Sequence, residues 1–154
     1  SNEIPKERID AMAARLAHLE EALDEVVTEE YPLSAESIEL MLGIDTSAIH
    51  VIADNGTQVQ PEVLEWAKNL AVGHWFMLDH NGCPLQVQYV WHSPYKQLQL
   101  FAAPNGMCFL FQLRRMGNYL QSGLLAPRDV EGITARAARD ALAKIEANPE
   151  RLLQ

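Results

Sequence analysis

The chain has 154 residues, 48% hydrophobic and 21% charged, with 12 basic against 21 acidic side chains and a formal net charge of −9. One domain of this size can bury a core without metal or disulfide staples, and no apolar run approaches the ~20 residues of a membrane-spanning helix. Residues 1–50 carry 12 acidic and 3 basic groups, so the basic stripe that phosphate backbones require is missing and neither DNA nor RNA is an expected partner.

The first predicted element is a helix from Pro5 to about Val27. Ile9, Met12, Leu16, Leu19, Leu23 and Val26 follow one another at spacings of 3, 4, 3, 4 and 3, an a/d seam of period 3.5. Arg15, Glu20, Glu21, Asp24 and Glu25 are expected to keep the other face wet. Two readings of the seam stay open: a stripe lying on its own domain, or a coiled-coil-like pairing surface for a second copy or another part of the parent chain. A shorter helix is expected from Ser34, a capping residue, to Gly43. Residues 44–60 are ambiguous, with strand-like content at Ala48 to Ala53 and a turn signal at Asp54-Asn55-Gly56. A third helix is expected over Pro61–Asn69, with Val63, Leu64 and Trp66 as its apolar contacts.

From Gly73 the hydrophobic period changes to two. His74–Asp79 reads as a strand and His80-Asn81-Gly82 as a hairpin turn, since Asn-Gly tolerates positive φ. The next strand sets Leu85, Val87, Tyr89 and Trp91 on one face and Gln86 and Gln88 on the other. Ser93-Pro94-Tyr95-Lys96 turns the chain into a strand at Gln97–Ala102, and Pro104-Asn105-Gly106 into another at Met107–Leu113. A meander this short needs closure or a covering helix to protect its edges. Arg114–Ser122 reads as a helix ended by Gly123, and Asp129 to Ala147 as a last helix whose alanine-rich side packs closely on its neighbours.

Few residues carry chemistry. Cys83 and Cys108, the only cysteines, fit a reducing compartment, and the expected location is cytoplasmic. His74, His80 and Cys83 lie close in sequence but lack the paired ligand spacing of a zinc site, so no metal is expected. No GxSxG elbow and no phosphate loop is present, and the paired carboxylates occur only as helical runs; no cofactor is expected and the chain is read as a non-enzyme. Arg114-Arg115 is a possible anion or nucleotide contact at the start of a helix. Ser1-Asn2 reads as a remnant of tag removal, and the chain as cut from a longer protein.

Gly73-His74-Trp75, Trp91-His92-Ser93-Pro94, Tyr119-Leu120-Gln121-Ser122-Gly123 and Ala135-Arg136-Ala137 follow in an order that resembles the C-terminal region of the bacterial domain-of-unknown-function 1631 family, over roughly residues 70–140. The resemblance implies a long parent protein and a barrel similar in outline to PilZ domains, the bacterial receptors for cyclic di-GMP. Those receptors use an RxxxR stretch before the barrel, whereas this chain has no arginine between Arg15 and Arg114. What the resemblance implies is therefore a PilZ-like barrel that contacts protein.

The expected fold is α+β: a small antiparallel β-barrel, PilZ-like or SH3-like, with N-terminal amphipathic helices and a packed C-terminal helix. The expected division is an acidic helical region over 1–60 and the barrel with its flanking helices over 61–154. The expected function is a non-enzymatic protein-interaction or regulatory module of a larger bacterial signalling protein. The alternative is a receptor for cyclic di-GMP or another nucleotide second messenger, using Arg114 and Arg115 with aromatic stacking.

Overall fold

A computed structural model of the chain describes residues 5–25, 34, 38–39, 49–52 and 58–128, without the side chains of 22–25. The fold is α+β. Its elements are α1 (Lys6–Glu25), β1 (Ile49–Ile52), α2 (Pro61–Asn69), β2 (Trp75–His80), β3 (Cys83–His92), β4 (Leu98–Ala102), β5 (Cys108–Gln112), α3 (Leu113–Ser122) and β6 (Leu125–Pro127). The strands form one sheet in the order β1-β5-β4-β3-β2-β6. Every pairing is antiparallel except that of β1 with β5, which runs from Ile49 opposite Cys108 to Ile52 opposite Phe111.

The meander forms where the turn chemistry allows it. Asn81 and Gly82 both take positive φ (53° and 77°), the two-residue turn whose twist matches the strands it joins. The sheet then rolls on itself. His50 of β1 and His80 of β2 have three strands between them in sheet order, yet their rings lie 4.7 Å apart. Inside the roll, Phe76, Leu78, Val87, Tyr89, Phe101, Phe109 and Phe111 make one cluster, closed by Val63 and Ala67 of α2 and Leu113, Met116 and Leu120 of α3. Phe101 stacks on Tyr89 at 4.9 Å and meets Phe76 and Phe111 edge-on, the geometries aromatic quadrupoles favour. Burial pushes the Tyr89 phenol's pKa upward.

The outer face has its own core. Leu98, Leu100, Ala102, Cys108, Leu110 and Ile49 point outward and are covered by Ile9, Met12, Leu16 and Leu19 of α1. All five residues of β4 are consequently buried, because that strand has a hydrophobic layer on each side. Gly117 lets α3 approach α2: a Cβ there would stand 3.0 Å from Val59 Cγ1 and 3.3 Å from Leu64 Cδ2.

Several expectations meet the structure differently. Four of the six seam residues are occupied within the chain, as a helix lying on its own domain would have them; the side chain of Leu23 and all of Val26 lie outside the described residues. Strand β1, within the ambiguous 44–60 stretch, belongs to the same sheet as the meander; Ile52 lies in the inner cluster, and Ile49 lies in the outer one with four residues of α1. The single-face alternation Leu85, Val87, Tyr89, Trp91 breaks at its end. The β3–β4 register shifts between Tyr89 and Trp91, and this bulge leaves Tyr89 inside while Val90 and Trp91 pack on the outer cluster. β6, three residues beside β2, has no counterpart in the sequence reading. The Ser34–Gly43 helix, apart from Ser34, Ile38 and Glu39, and the helix expected from Asp129 to Ala147 lie outside the described residues.

Candidate functional site

The polar chemistry of the outer face centres on a residue expected in solvent. Glu20 follows Leu19 at the flank of the seam and is 2% exposed. Its carboxylate accepts from the Ser93 hydroxyl, from the Tyr95 N–H at 2.8 Å and from the Gln97 N–H at 3.0 Å. The donors are arranged by the β3–β4 turn. Lys96 takes a φ of 59° and its N–H returns to the Ser93 carbonyl, which turns the amides of Tyr95 and Gln97 toward one point. The Ser93 oxygen is fixed in turn by accepting from the Leu98 N–H at 2.9 Å. Lys96 Nζ donates to the Lys68 carbonyl in the last turn of α2, which ties the turn to that helix.

At the other end of α1 a groove of about 270 Å³ lies between Lys6, Ile9 and Asp10 and the strip Val72, Gly73, Gln88, Val90. Gln88 Nε2 donates to the Gly73 carbonyl and braces one wall. Val72 is 48% exposed at its edge, and Met77, opposite Gln86 and Ala126 on β2, is 36% exposed.

Two sulfur positions separate clearly. Cys83 is exposed, whereas Cys108 is buried in the cluster beneath α1. Burial pushes the Cys108 thiol's pKa up, with the Arg8 guanidinium opposing part of that shift.

The inner mouth of the roll carries His50, His80 and Phe109. His50 stacks on Phe109 at 5.3 Å and His80 meets that ring edge-on at 5.2 Å. Burial, then the neighbouring His50, lowers the pKa of His80 below 6.5. Among the described residues no three His, Cys, Asp or Glu side chains converge as a metal would need, so His74, His80 and Cys83 do not make one site. Arg114 is exposed in the first turn of α3. Arg115 donates to Asn118 Oδ1 at 3.2 Å and lies over the Tyr119 ring at 5.0 Å, so its guanidinium is held along its own helix. Among the described residues no helix is long and apolar enough to cross a membrane.

A run of α2, meander, α3 and β6 around a rolled sheet is the unit that meets a known family. Residues 62–127 match the family model described as protein of unknown function (DUF1631), C-terminal tudor domain. This tudor-like region holds the Trp91-His92-Ser93-Pro94 stretch and Tyr119–Gly123, which closes α3 through Gly123 at φ 79°. Ala135-Arg136-Ala137 falls beyond the match. The rolled sheet is of the SH3-like type expected, under a tudor rather than a PilZ description. α1 and β1 precede the tudor-like region, so Glu20 enters its β3–β4 turn from outside the matched span. No curated protein and no solved structure matches the chain.

Sequence reasoning missed Glu20. The usable signal was its place one step past Leu19, where helix geometry puts it on the border of the buried stripe. Its burial is decided by a turn more than seventy residues away, which no helical pattern contains.

Proposed function

We propose that this chain is a non-enzymatic protein-interaction module of a larger protein, and that the outer face of its sheet is a dock for an amphipathic helix of a protein partner. The observation that carries this reading is α1 itself. It lies across the outer face with four apolar side chains in one cluster and a carboxylate bound in the β3–β4 turn. Helix-in-groove recognition reads apolar anchors at i, i+3/i+4 and i+7, and Ile9, Met12, Leu16 and Leu19 supply that pattern. The groove beside Lys6 and Asp10, with the exposed Val72 at its edge, extends the same surface.

The test uses the full chain with the seat cleared by Leu16→Asp and Leu19→Asp, and a fluorescent peptide with the sequence of residues 5–25 as the probe. Saturable binding is expected, with NMR amide shifts at Leu100, Ala102 and Leu110. A folded variant that shows no saturable binding removes the proposal. The Arg115–Tyr119 pair supports a second reading, an anion or nucleotide contact at Arg114 and Arg115. A cyclic di-GMP titration of the unmodified chain decides it: binding lost on Arg115→Ala supports the receptor reading, and a flat titration removes it.

A further inference from the structure

We infer that the roll closes through an acid-sensitive seam: His50 of β1 and His80 of β2 hold the two strands together while at most one ring is charged, and drive them apart when both are. The inference is independent of the helix-docking reading and concerns the inner side of the sheet.

The sheet order leaves β1 and β2 without a shared ladder, since β5, β4 and β3 stand between them. Side chains span the gap instead. The two imidazoles lie 4.7 Å apart at a tilt of 55°, and both rest on Phe109, His50 stacked at 5.3 Å and His80 edge-on at 5.2 Å. Alternation explains why they meet. His50 shares the inner face of β1 with Ile52, and His80 shares that of β2 with Phe76 and Leu78. Phe109 and Ile52 belong to the inner cluster, so parting the rings opens one end of that core to water.

Among the described residues neither ring takes part in an ion pair that would offset a second charge. Phe109 of β5 carries no charge, and β3 brings the Cys83 thiol, opposite His80 in register. Asp79 of β2 is exposed and, by alternation, on the other face. From the hairpin, the Asn81 amide nitrogen lies 3.4 Å from His80 Nε2; an amide nitrogen only donates, so the bare ring nitrogen accepts. A proton placed there ends that contact and sets charge beside His50. Burial, then His50, accordingly lower the pKa of His80 below 6.5. The fold favours the neutral ring, so the closure is present near neutral pH and weakens as pH falls through the folded value.

The experiment uses the full chain, with NMR following the histidine ring protons through a pH titration and the exchange of backbone amides at pH 7.5 and pH 5. His80 is expected to titrate below 6.5. Protection factors of the β1 amides are expected to fall about tenfold between the two conditions, and those of β3 and β4 by less than about twofold. His50→Phe keeps a stacked ring and removes its charge. It is expected to move the His80 midpoint up toward 6.5 and to hold the β1 loss under about threefold. A His80 midpoint at or above 6.5 in the unmodified chain overturns the inference without any variant. So does β1 protection that falls no more than that of β3 and β4, or that falls equally in His50→Phe.

Discussion

Replacing Glu20 with alanine removes a carboxylate that accepts from three donors at once; the Ser93 hydroxyl also reaches the Leu98 carbonyl at 3.3 Å, and the other two are half-buried backbone amides of the turn. Each charge-assisted bond contributes about 1.5–3 kcal/mol, and each buried donor left unmet costs about 1–3 kcal/mol, so simple addition exceeds 4 kcal/mol. The sum overstates the loss, because lifting the end of α1 readmits water to the turn once that is cheaper than leaving the donors unmet. The free energy of seating α1 is therefore a ceiling, and the expected loss is about 2–4 kcal/mol. Glu20→Gln retains one acceptor oxygen but turns an NH₂ toward the donors, and about half that loss is expected. Urea denaturation followed by circular dichroism measures it. At a slope of about 2 kcal/mol per molar, Glu20→Ala lowers the midpoint by about 1–2 M. A smaller slope as well would mean that α1 has already left its seat in the native variant. A change under about 0.5 kcal/mol with an unaltered slope would refute the reasoning, since that is the range of an ordinary surface substitution.

Leu16 is fully buried under the sheet, and Leu16→Ala is expected to cost about 3 kcal/mol in urea titration, with a loss within surface-substitution range arguing against its seat. His80 has a folded-state pKa below its ordinary 6.5, so the unfolded chain binds more protons between the two values. The stability this contributes is present above about pH 6.5 and falls away as pH drops through the folded value. A urea midpoint that declines between pH 7.5 and 5, and declines less in His80→Gln, is the expected result. Thiol titration of the native protein is expected to label Cys83 at once and Cys108 slowly, with equal rates refuting the buried assignment. Gly123 ends α3 in the left-handed region, and Gly123→Ala is expected to lower stability by about 1 kcal/mol without altering the fold by circular dichroism.

Local chemistry made the meander legible. Asn81-Gly82 announced its hairpin because the turn needs two consecutive positive φ values, and Gly123 announced the end of α3 for a related reason. The stripe Ile9 to Leu19 was equally visible, but a stripe says only that something covers it, and the sheet could be named only from the fold. The strand content of β1 was visible at Ala48 to Ala53, but its place was not, because its four residues pair in parallel with a strand nearly sixty residues later and nothing near Ile49 encodes that partner. β4 resisted alternation for a different reason: buried on both faces, it is apolar at four of its five positions, Gln99 excepted, instead of alternating throughout. Trp91 was placed on the wrong face because one bulged residue inverts every side chain after it. The candidate site was half legible, its apolar anchors readable from spacing and its acid anchor invisible without the turn.

The parallel pairing of β1 with β5 also sets an order on biosynthesis. A ribosome delivers α1 and β1 before any of the surface they need, and Phe111, opposite Ile52, follows 59 residues later. At about 5–20 residues per second, the unpaired edge strand waits roughly 3–12 s for its partner, and the apolar stripe further upstream waits longer. The acidic groups concentrated in the first 50 residues fall on the stretch that must wait, and their mutual repulsion keeps nascent copies apart until the rolled sheet emerges to receive them.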